Sequence, residues 1–214
     1  MGAKVDLRVL ELLASRICHD LISPIGAVGN GLELLEDADD EMSADALKLS
    51  MNCVRRASAL LEFFRMAYGA AGSDSGLRWE TAKGLAEGLI EGPKTTLVWA
   101  APPAGLNVPA MAPKLGLNLT LLATEMLPRG GEIAVGLQGA GNRLVVSALA
   151  TGRDARLPEE VAAAIAAPAE PPPPLTARTV HGFFAARLAD AAGGRLEAAA
   201  QPSGVRLVVS IPMA

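Results

Sequence analysis

The sequence predicts an α+β protein of two domains, with an N-terminal antiparallel helical hairpin and a C-terminal α/β sandwich. Two long stretches before residue 69 carry apolar residues at steps of three and four, which is typical of amphipathic helices. Residues 69–76 are small or polar and follow no pattern, as expected of a linker. Helical and strand-like patterns then alternate. We therefore place one domain at residues 1–72 and the other at 73–214.

Composition limits the interior and the partners. Half of the 214 residues are hydrophobic but only 3% are aromatic, so the core is built mainly from aliphatic side chains. The formal net charge is −4, and there is no cluster of Lys and Arg that would form a nucleic-acid groove. Charges interrupt every apolar run before the roughly 18 residues that a membrane span needs, and the N-terminus lacks a secretory signal. We expect a cytoplasmic protein that binds neither nucleic acid nor membrane.

The two predicted hairpin helices are long and amphipathic. The first covers about residues 7–35, and the second is expected to start at Ser43, a favourable N-cap, and to end near Tyr68. Apolar residues of the second helix form two adjacent stripes, which a single partner helix cannot cover. A second copy of the chain is the simplest cover, so we predict a homodimer held together by a four-helix bundle. The stripes consist of Leu47, Met51, Val54, Leu61, Phe64 and Tyr68 on one side and Leu49, Cys53, Leu60 and Phe63 on the other.

The second domain is predicted to have the element order α-β-α-β-β-α-α-β-β. Turn sequences at 128–131 and 139–142 flank a strand, so this strand and the next read as a hairpin. Helices packed on one face of a mixed, mostly antiparallel sheet would bury the whole pattern in two layers. The helices are predicted near 81–90, 113–126, 158–166 and 176–192, and the strands near 95–99, 132–137, 143–150, 195–199 and 205–211.

The first helix carries His19, one of only two histidines in the chain. On an ideal helix it lies about 200° around the axis from both Ile17 and Leu21, so it should face away from their apolar seam and be exposed. The positions that share its face are mostly small or polar, so another protein can approach closely. The candidate partner-binding residues are Ser15, Arg16, Ser23, Gly26 and Asn30.

A histidine followed by an aspartate suits reversible phosphoryl transfer. Imidazole is nucleophilic near neutral pH and forms a labile phosphoramidate, and Asp20 can accept the Nδ1 proton so that Nε2 attacks. Pro24 offers no N–H to the carbonyl of Asp20, so a bend is expected there. A solvated surface pair explains the two residues about equally well. His181 has no such neighbours and is expected to have no chemical role, and the cysteines and histidines lack the spacing of a metal site.

Residues 19–24 read His-Asp-Leu-Ile-Ser-Pro and resemble the His-Glu/Asp-Leu-x-x-Pro phosphoacceptor box of sensor histidine kinases. The resemblance covers nearly the whole chain, because residues 193–197 (Gly-Gly-Arg-Leu-Glu) and the closing strand resemble the end of the kinase ATP-binding domain. The nucleotide site departs from that pattern. Residues 118–123 (Asn-Leu-Thr-Leu-Leu-Ala) lie where kinases have an Asn-Leu-Leu-x-Asn-Ala nucleotide segment, and Leu122 stands in place of its second, magnesium-binding Asn. Ala150 stands in place of the Asp that bonds adenine, and Asp154 in place of a glycine. Residues 171–179 contain no glycine to cradle phosphates.

A kinase-like hairpin joined to a degenerate ATP-binding domain is the pattern of the dimeric histidine phosphotransferases of alphaproteobacteria, the ChpT family, which this sequence resembles from end to end. The resemblance implies that His19 accepts a phosphoryl group from the receiver domain of a CckA-like hybrid kinase. It would pass the group to CtrA-like and CpdR-like response regulators of the cell cycle. No cofactor of its own is implied, since the receiver brings Mg²⁺. An active kinase with divergent nucleotide boxes and a non-catalytic dimeric scaffold are the alternatives.

Overall fold

The computed structural model describes residues 7–35, 40–70, 76–90, 92–167 and 174–213. The predicted domain boundary between residues 72 and 73 lies outside these residues, as does most of the predicted linker. No helix in the described part of the chain is both long and apolar enough to cross a membrane.

The predicted hairpin is confirmed: α1 spans Leu7–Glu33, α2 spans Asp40–Ala67, and the two pack against each other. The predicted start of α2 at Ser43 is wrong. The helix begins three residues earlier, where the sequence is acidic, and acidic residues are favoured in the first turn of a helix. Near the connection Gly31 is buried against Ser50 of α2, and a Cβ at this glycine would overlap the serine hydroxyl. The absence of a side chain therefore lets the helices approach closely.

The second unit is a mixed five-stranded sheet with helices, and its element order is the predicted one. The strand order is β1-β2-β3-β5-β4, in which only β1 and β2 pair in parallel and the other neighbours are antiparallel. The helices are α3 (Trp79–Leu89), α4 (Met111–Glu125), α5 (Glu159–Ala166) and α6 (Val180–Ala191), and the strands are β1 (Thr95–Trp99), β2 (Gly131–Ala140), β3 (Arg143–Thr151), β4 (Leu196–Gln201) and β5 (Gly204–Pro212).

One face of the sheet carries the core. Alternate residues of the central strands are buried, such as Ile133 in β2, Val146 in β3 and Leu207 in β5, as a period of two requires for a sheet covered on one side. Helix α4 lies against these strands and is buried over nearly its whole length. The turn into β2 needs glycine at Gly130, because φ is 80° there. These features confirm the predicted two-layer α+β arrangement.

The hairpin packs directly on the second unit. Phe63 and Phe64, at the end of α2, belong to the same hydrophobic cluster as Leu115 of α4. At the same, open end of the hairpin, Leu12 of α1 lies in a second cluster with Phe183 of α6. The two units are distinct in sequence pattern but share continuous cores, so α1 is held against α6 while α2 is held against α3 and α4.

Two polar side chains of α4 cap the C-terminal end of α2. Lys114 donates from Nζ to the carbonyl of Gly69 at 2.8 Å, and Asn118 donates from Nδ2 to the carbonyl of Ala67 at 2.9 Å. Both side chains are buried. The last carbonyls of a helix lack intrahelical partners, so these contacts satisfy groups that would otherwise be buried without a hydrogen bond.

We expect Asn118→Ala to lower the free energy of unfolding by about 2 kcal/mol, because it removes the donor from a buried carbonyl. Urea unfolding monitored by circular dichroism measures this change. Asn52→Ala is the matched control, since Asn52 accepts its hydrogen bond from Arg55 on the exposed surface of α2. The control should stay within about 0.5 kcal/mol of the parent, and a loss for Asn118→Ala no larger than that of the control would contradict the capping role.

Candidate functional site

His19 projects into solvent from the middle of α1. Its side chain is 88% exposed, and Asp20 beside it is 33% exposed. The exposure follows from the helix itself, because Ile17 and Leu21 pack against the main core and the histidine lies between them on the opposite side. The predicted exposure of His19 is therefore confirmed.

Asp20 lies within hydrogen-bonding distance of the imidazole. The distance from His19 Nδ1 to Asp20 Oδ1 is 3.2 Å, so the neutral ring can donate its Nδ1 proton to the carboxylate. This tautomer leaves the Nε2 lone pair directed away from the pair and available for attack. This distance is compatible with the orienting role expected for Asp20, which stays a prediction.

Pro24 lies inside α1, which continues without a break through it to Glu33. The bend expected at Pro24 stays a prediction. The proline is half-buried and lines a groove beside His19, so its ring forms part of the surface next to the histidine.

Two depressions flank His19, one on each side of α1. We call the first, of about 920 Å³, the C-terminal cleft, because α1 forms one wall and the second unit forms the other. We call the second, of about 840 Å³, the hairpin groove, because it runs between the hairpin and the segment that joins α3 to β1. The C-terminal cleft is lined by Ser15, Arg16, His19, Asp20, Glu125, Pro128, Arg156, Pro158, Glu160, Val161, Ala177 and Arg178.

The predicted partner-binding residues are not all in the same environment. Ser15, Ser23, Gly26 and Asn30 are exposed on α1 as predicted. Arg16 instead turns towards the second unit, where its Nη2 lies 2.6 Å from Glu125 Oε1. The same carboxylate oxygen lies 3.1 Å from Nδ1 of His181.

The trio of Arg16, Glu125 and His181 joins α1, α4 and α6. The side chain of His181 is fully buried at 0% exposure, and those of Arg16 and Glu125 are mostly buried. Burial by itself raises the pKa of Glu125, but the hydrogen bond and charge of His181 and the charge of Arg16 outweigh it, so the pKa lies below its ordinary value. Glu125 is therefore ionised at neutral pH.

Tyr68 encloses the trio from the end of α2. Its ring makes an edge-to-face contact with His181, with 5.8 Å between centroids, and stacks on Phe64 at 5.6 Å. Desolvation raises the pKa of the Tyr68 hydroxyl above its ordinary value, partly offset by the charge of Arg16. His181 is thus shielded from water, whereas Arg16 and Glu125 keep a small exposed fraction in the C-terminal cleft. Sequence reasoning missed Glu125 altogether, because only the fold brings it to α1.

The residues that stand where kinases contact the nucleotide are packed inside this protein. Leu122 is fully buried in α4, and Ala150 is fully buried in β3, where it pairs with Ile133 and Val205. Asn118, which keeps the first Asn of the kinase segment, is hydrogen-bonded to the end of α2 as described above. Among the described residues, no group of three or more His, Cys, Asp or Glu side chains gathers that could hold a metal ion.

Asp154, which stands in place of a glycine, keeps the backbone conformation that a glycine favours. Its φ is 63°, the only positive φ of a non-glycine among the described residues, and its carboxylate lies 3.1 Å from Nε of Arg129. In the loop before α6, the described part from residue 174 onward contains a turn in which the backbone N–H of Thr176 donates to Oγ1 of Thr179 at 2.9 Å. Residues 171–173 of the predicted glycine-free stretch lie outside the described residues.

Comparison with known proteins identifies relatives of the whole chain. The family described as "Histidine phosphotransferase C-terminal domain" matches residues 79–204. Protein phosphotransferase ChpT of Brucella abortus (strain 2308) is 37% identical over 203 residues, which cover 92% of this chain and 93% of that protein. A solved structure described as the 1.7 Å structure of a bacterial phosphotransferase superposes with a TM-score of 0.76 at 34% identity, over 97% of this chain and 98% of the other.

The sequence matches and the solved structure agree on the class of protein, a phosphotransferase, and the family model that matches is that of a histidine phosphotransferase domain. The similarity to the Brucella protein extends through the hairpin and the second unit alike. The chain belongs to the ChpT family.

Proposed function

We propose that this chain is a phosphorelay intermediate that takes a phosphoryl group on His19 from the receiver domain of a hybrid kinase and gives it to the receiver domain of a response regulator. The observation that carries the proposal is the 88% exposed His19 with its Nδ1 held by Asp20 between two depressions. A nucleophile that projects this far from its own protein is placed to meet a phosphoryl group on another protein. We also propose that it works in the cytoplasm.

The phosphoryl transfer requires no cofactor bound to this chain. His19 Nε2 attacks the phosphorus of a receiver's aspartyl phosphate, the P–O bond to that aspartate breaks, and the aspartate leaves as a carboxylate. The positive charge that develops on the imidazole is stabilised by Asp20 through Nδ1. The Mg²⁺ that such a transfer requires would be supplied by the receiver. The reverse sequence, with a second receiver aspartate as the attacking group, delivers the phosphoryl group.

The C-terminal cleft is the proposed docking surface for the receiver. It places side chains of the second unit, including Arg156 and Arg178, opposite His19 across the same depression. A receiver that contacts the exposed face of α1 would therefore touch the second unit at the same time. This gives the degenerate domain a role in binding in place of a role in catalysis.

We propose further that the chain does not use ATP. Leu122 and Ala150 are apolar and fully buried where the kinase pattern places polar nucleotide contacts. We expect that radiolabelled ATP with Mg²⁺ leaves the purified chain unlabelled and does not raise its melting temperature. Clear labelling of His19 from ATP would identify an active kinase instead.

Asp20→Asn is expected to slow the formation of phosphohistidine by about 10²-fold, since an amide cannot stabilise the imidazolium charge as a carboxylate does. The rate is measured by mixing the variant with a labelled phosphorylated receiver and quenching at set times. Asp45→Asn is the matched control, because Asp45 is exposed on α2 away from His19. If Asp20→Asn transferred at the parent rate, Asp20 would have no part in the step.

We also propose that the chain is a homodimer with a four-helix bundle. Large apolar side chains remain exposed on both helices of the single hairpin, and those of α2 recur at heptad-like steps of four, three and seven. Exposed large apolar side chains that repeat along a helix in this way favour an interface with another chain. The exposed residues include Ile22, Ile25 and Leu32 of α1 and Leu47, Met51, Val54 and Leu61 of α2.

A further inference from the structure

Arg16 lies one helical turn before His19, and its side chain points away from the solvent that surrounds the histidine. It reaches the C-terminal end of α4, where Glu125 is the last helical residue, and Glu125 in turn contacts His181 of α6. One carboxylate oxygen thus joins the phosphoacceptor helix to two helices of the second unit. The trio forms part of the wall of the C-terminal cleft, since Arg16 and Glu125 both line it.

The trio is not expected to add much to the stability of the fold. Two of its buried nitrogens, Nε of Arg16 and Nε2 of His181, have no hydrogen-bond partner within the described part of the chain. Removing charged groups from water costs free energy, and their mutual attraction offsets this cost only when every hydrogen-bond donor has a partner. Apolar residues of similar size would therefore stabilise the fold equally well or better. Hydrogen bonds, however, are directional and hold a particular geometry, whereas apolar contacts are not directional.

We propose that the Arg16–Glu125–His181 trio is a positioning device that fixes the His19 segment of α1 relative to the C-terminal cleft, so that a docking receiver meets both surfaces in one arrangement. This inference rests on the proposed function. Arg16, Glu125 and His181 act through His19 and do not touch the transferred phosphoryl group. The apolar clusters hold the units together, and the trio sets their alignment beside the histidine.

The inference predicts a specific kinetic signature for Glu125→Gln. When the two units sample several alignments, a receiver binds only the fraction that is aligned, and its apparent affinity falls by that fraction. The receiver concentration that gives half-maximal phosphorylation of His19 should therefore rise roughly tenfold for an aligned fraction of about one tenth, while the maximal rate stays at the parent value. A variant that merely contained less folded protein would show the reverse pattern, with a lower maximal rate and an unchanged half-saturating concentration.

Two further variants separate positioning from folding. Glu87→Gln is the matched control, because it makes the same chemical change in an exposed pair with Lys83 at 3.6 Å, and its kinetics should equal those of the parent. The double variant Arg16→Met/Glu125→Leu removes the pair without leaving a single charge buried. It should be at least as stable as the parent and yet keep the raised half-saturating concentration.

A distance measurement tests the alignment without any receiver. Spin labels are placed at Gly29→Cys on α1, where a side chain meets open space, and at Glu197→Cys on β4, in a chain carrying Cys18→Ser and Cys53→Ser. Labelled chains are diluted into a large excess of unlabelled chains so that distances within one chain dominate. The distance distribution should broaden on adding Glu125→Gln or the double substitution, but not Glu87→Gln.

The outcomes are distinguishable. Unchanged kinetics and an unchanged distance distribution in both trio variants, with normal transfer by the parent, would overturn the positioning role and leave the proposed function standing. Parent kinetics in a stable double variant would also overturn it. If the parent chain accepted no phosphoryl group from any phosphorylated receiver, the proposed function would fail and the positioning role for His19 with it, even if the distances broadened.

Discussion

His19→Ala is expected to abolish phosphoryl transfer through this chain, reducing label on the protein to the level of a reaction without it. The reason is chemical, since alanine has no lone pair to attack phosphorus and Asp20 beside it would form an aspartyl phosphate only in a site with a metal of its own. The variant should remain folded, because an 88% exposed side chain adds little to stability and such substitutions stay within about 0.5 kcal/mol. Incubation with a labelled phosphorylated receiver, followed by gel separation, measures the effect.

Cys18→Ala serves as the control for this experiment. Cys18 precedes the histidine directly and is also exposed, so its replacement disturbs the same turn of α1 without removing the nucleophile. The control should accept label at the parent rate. Equal labelling of His19→Ala and the parent would contradict the assignment of His19 and would favour the scaffold alternative.

Leu61→Asp is expected to convert the proposed dimer to a monomer. Leu61 is 55% exposed in the single chain, in the apolar stripe of α2, so the proposed interface would bury it. A buried carboxylate without a partner costs on the order of 3 kcal/mol, which corresponds to roughly a hundredfold in the dissociation constant. Light scattering at micromolar concentration should give the mass of two chains for the parent and of one chain for the variant.

Leu149→Asp makes the same change on the sheet, where Leu149 is 39% exposed on β3 and far along the chain from the hairpin. Its mass in solution should equal that of the parent. A parent that is monomeric at micromolar concentration would contradict the proposed bundle. Loss of the dimer in both variants would contradict the placement of Leu61 in the interface.

Local patterns in the sequence predicted the fold well. The steps of three and four in α1, the strand at residues 95–99 and the glycine turns around β2 are local signals, and each element lies within a few residues of its expected place. The start of α2 was displaced because Ser43 is a good N-cap in isolation, whereas the acidic residues before it favour an earlier start. The residue at which a helix begins depends on a balance of small free-energy contributions from capping and from charges in the first turn.

The candidate site was predictable only in part. The exposure of His19 and its contact with Asp20 follow from helix geometry and adjacency in the chain. The pairing of Arg16 with Glu125 does not, because 109 positions separate them and only the packing of α4 against the hairpin brings them together. Helix geometry placed Arg16 near the exposed face, but a long side chain can reach across to a carboxylate on the next element.

Asn118 and His181 show how the meaning of a residue can change with its surroundings. The resemblance to kinases places Asn118 in the nucleotide segment, yet its amide donates to the end of α2. His181 was expected to have no chemical role, and it contacts Glu125 in the interior, one step from the ion pair beside His19. The carboxylate of Glu125 at the end of α4 makes that contact, and no pattern in the sequence around Glu125 predicts it.

A two-receiver relay without ATP tests the central claim most directly. A hybrid-kinase receiver is phosphorylated with a labelled phosphoryl group, freed of its kinase and nucleotide, and mixed with Mg²⁺, this chain and a response-regulator receiver. We predict that label leaves the first receiver, appears on this chain as an acid-labile and alkali-stable adduct at His19, and then accumulates on the second receiver. Label that stays on the first receiver, or that reaches the second at the same rate with His19→Ala in place of the parent, would contradict it.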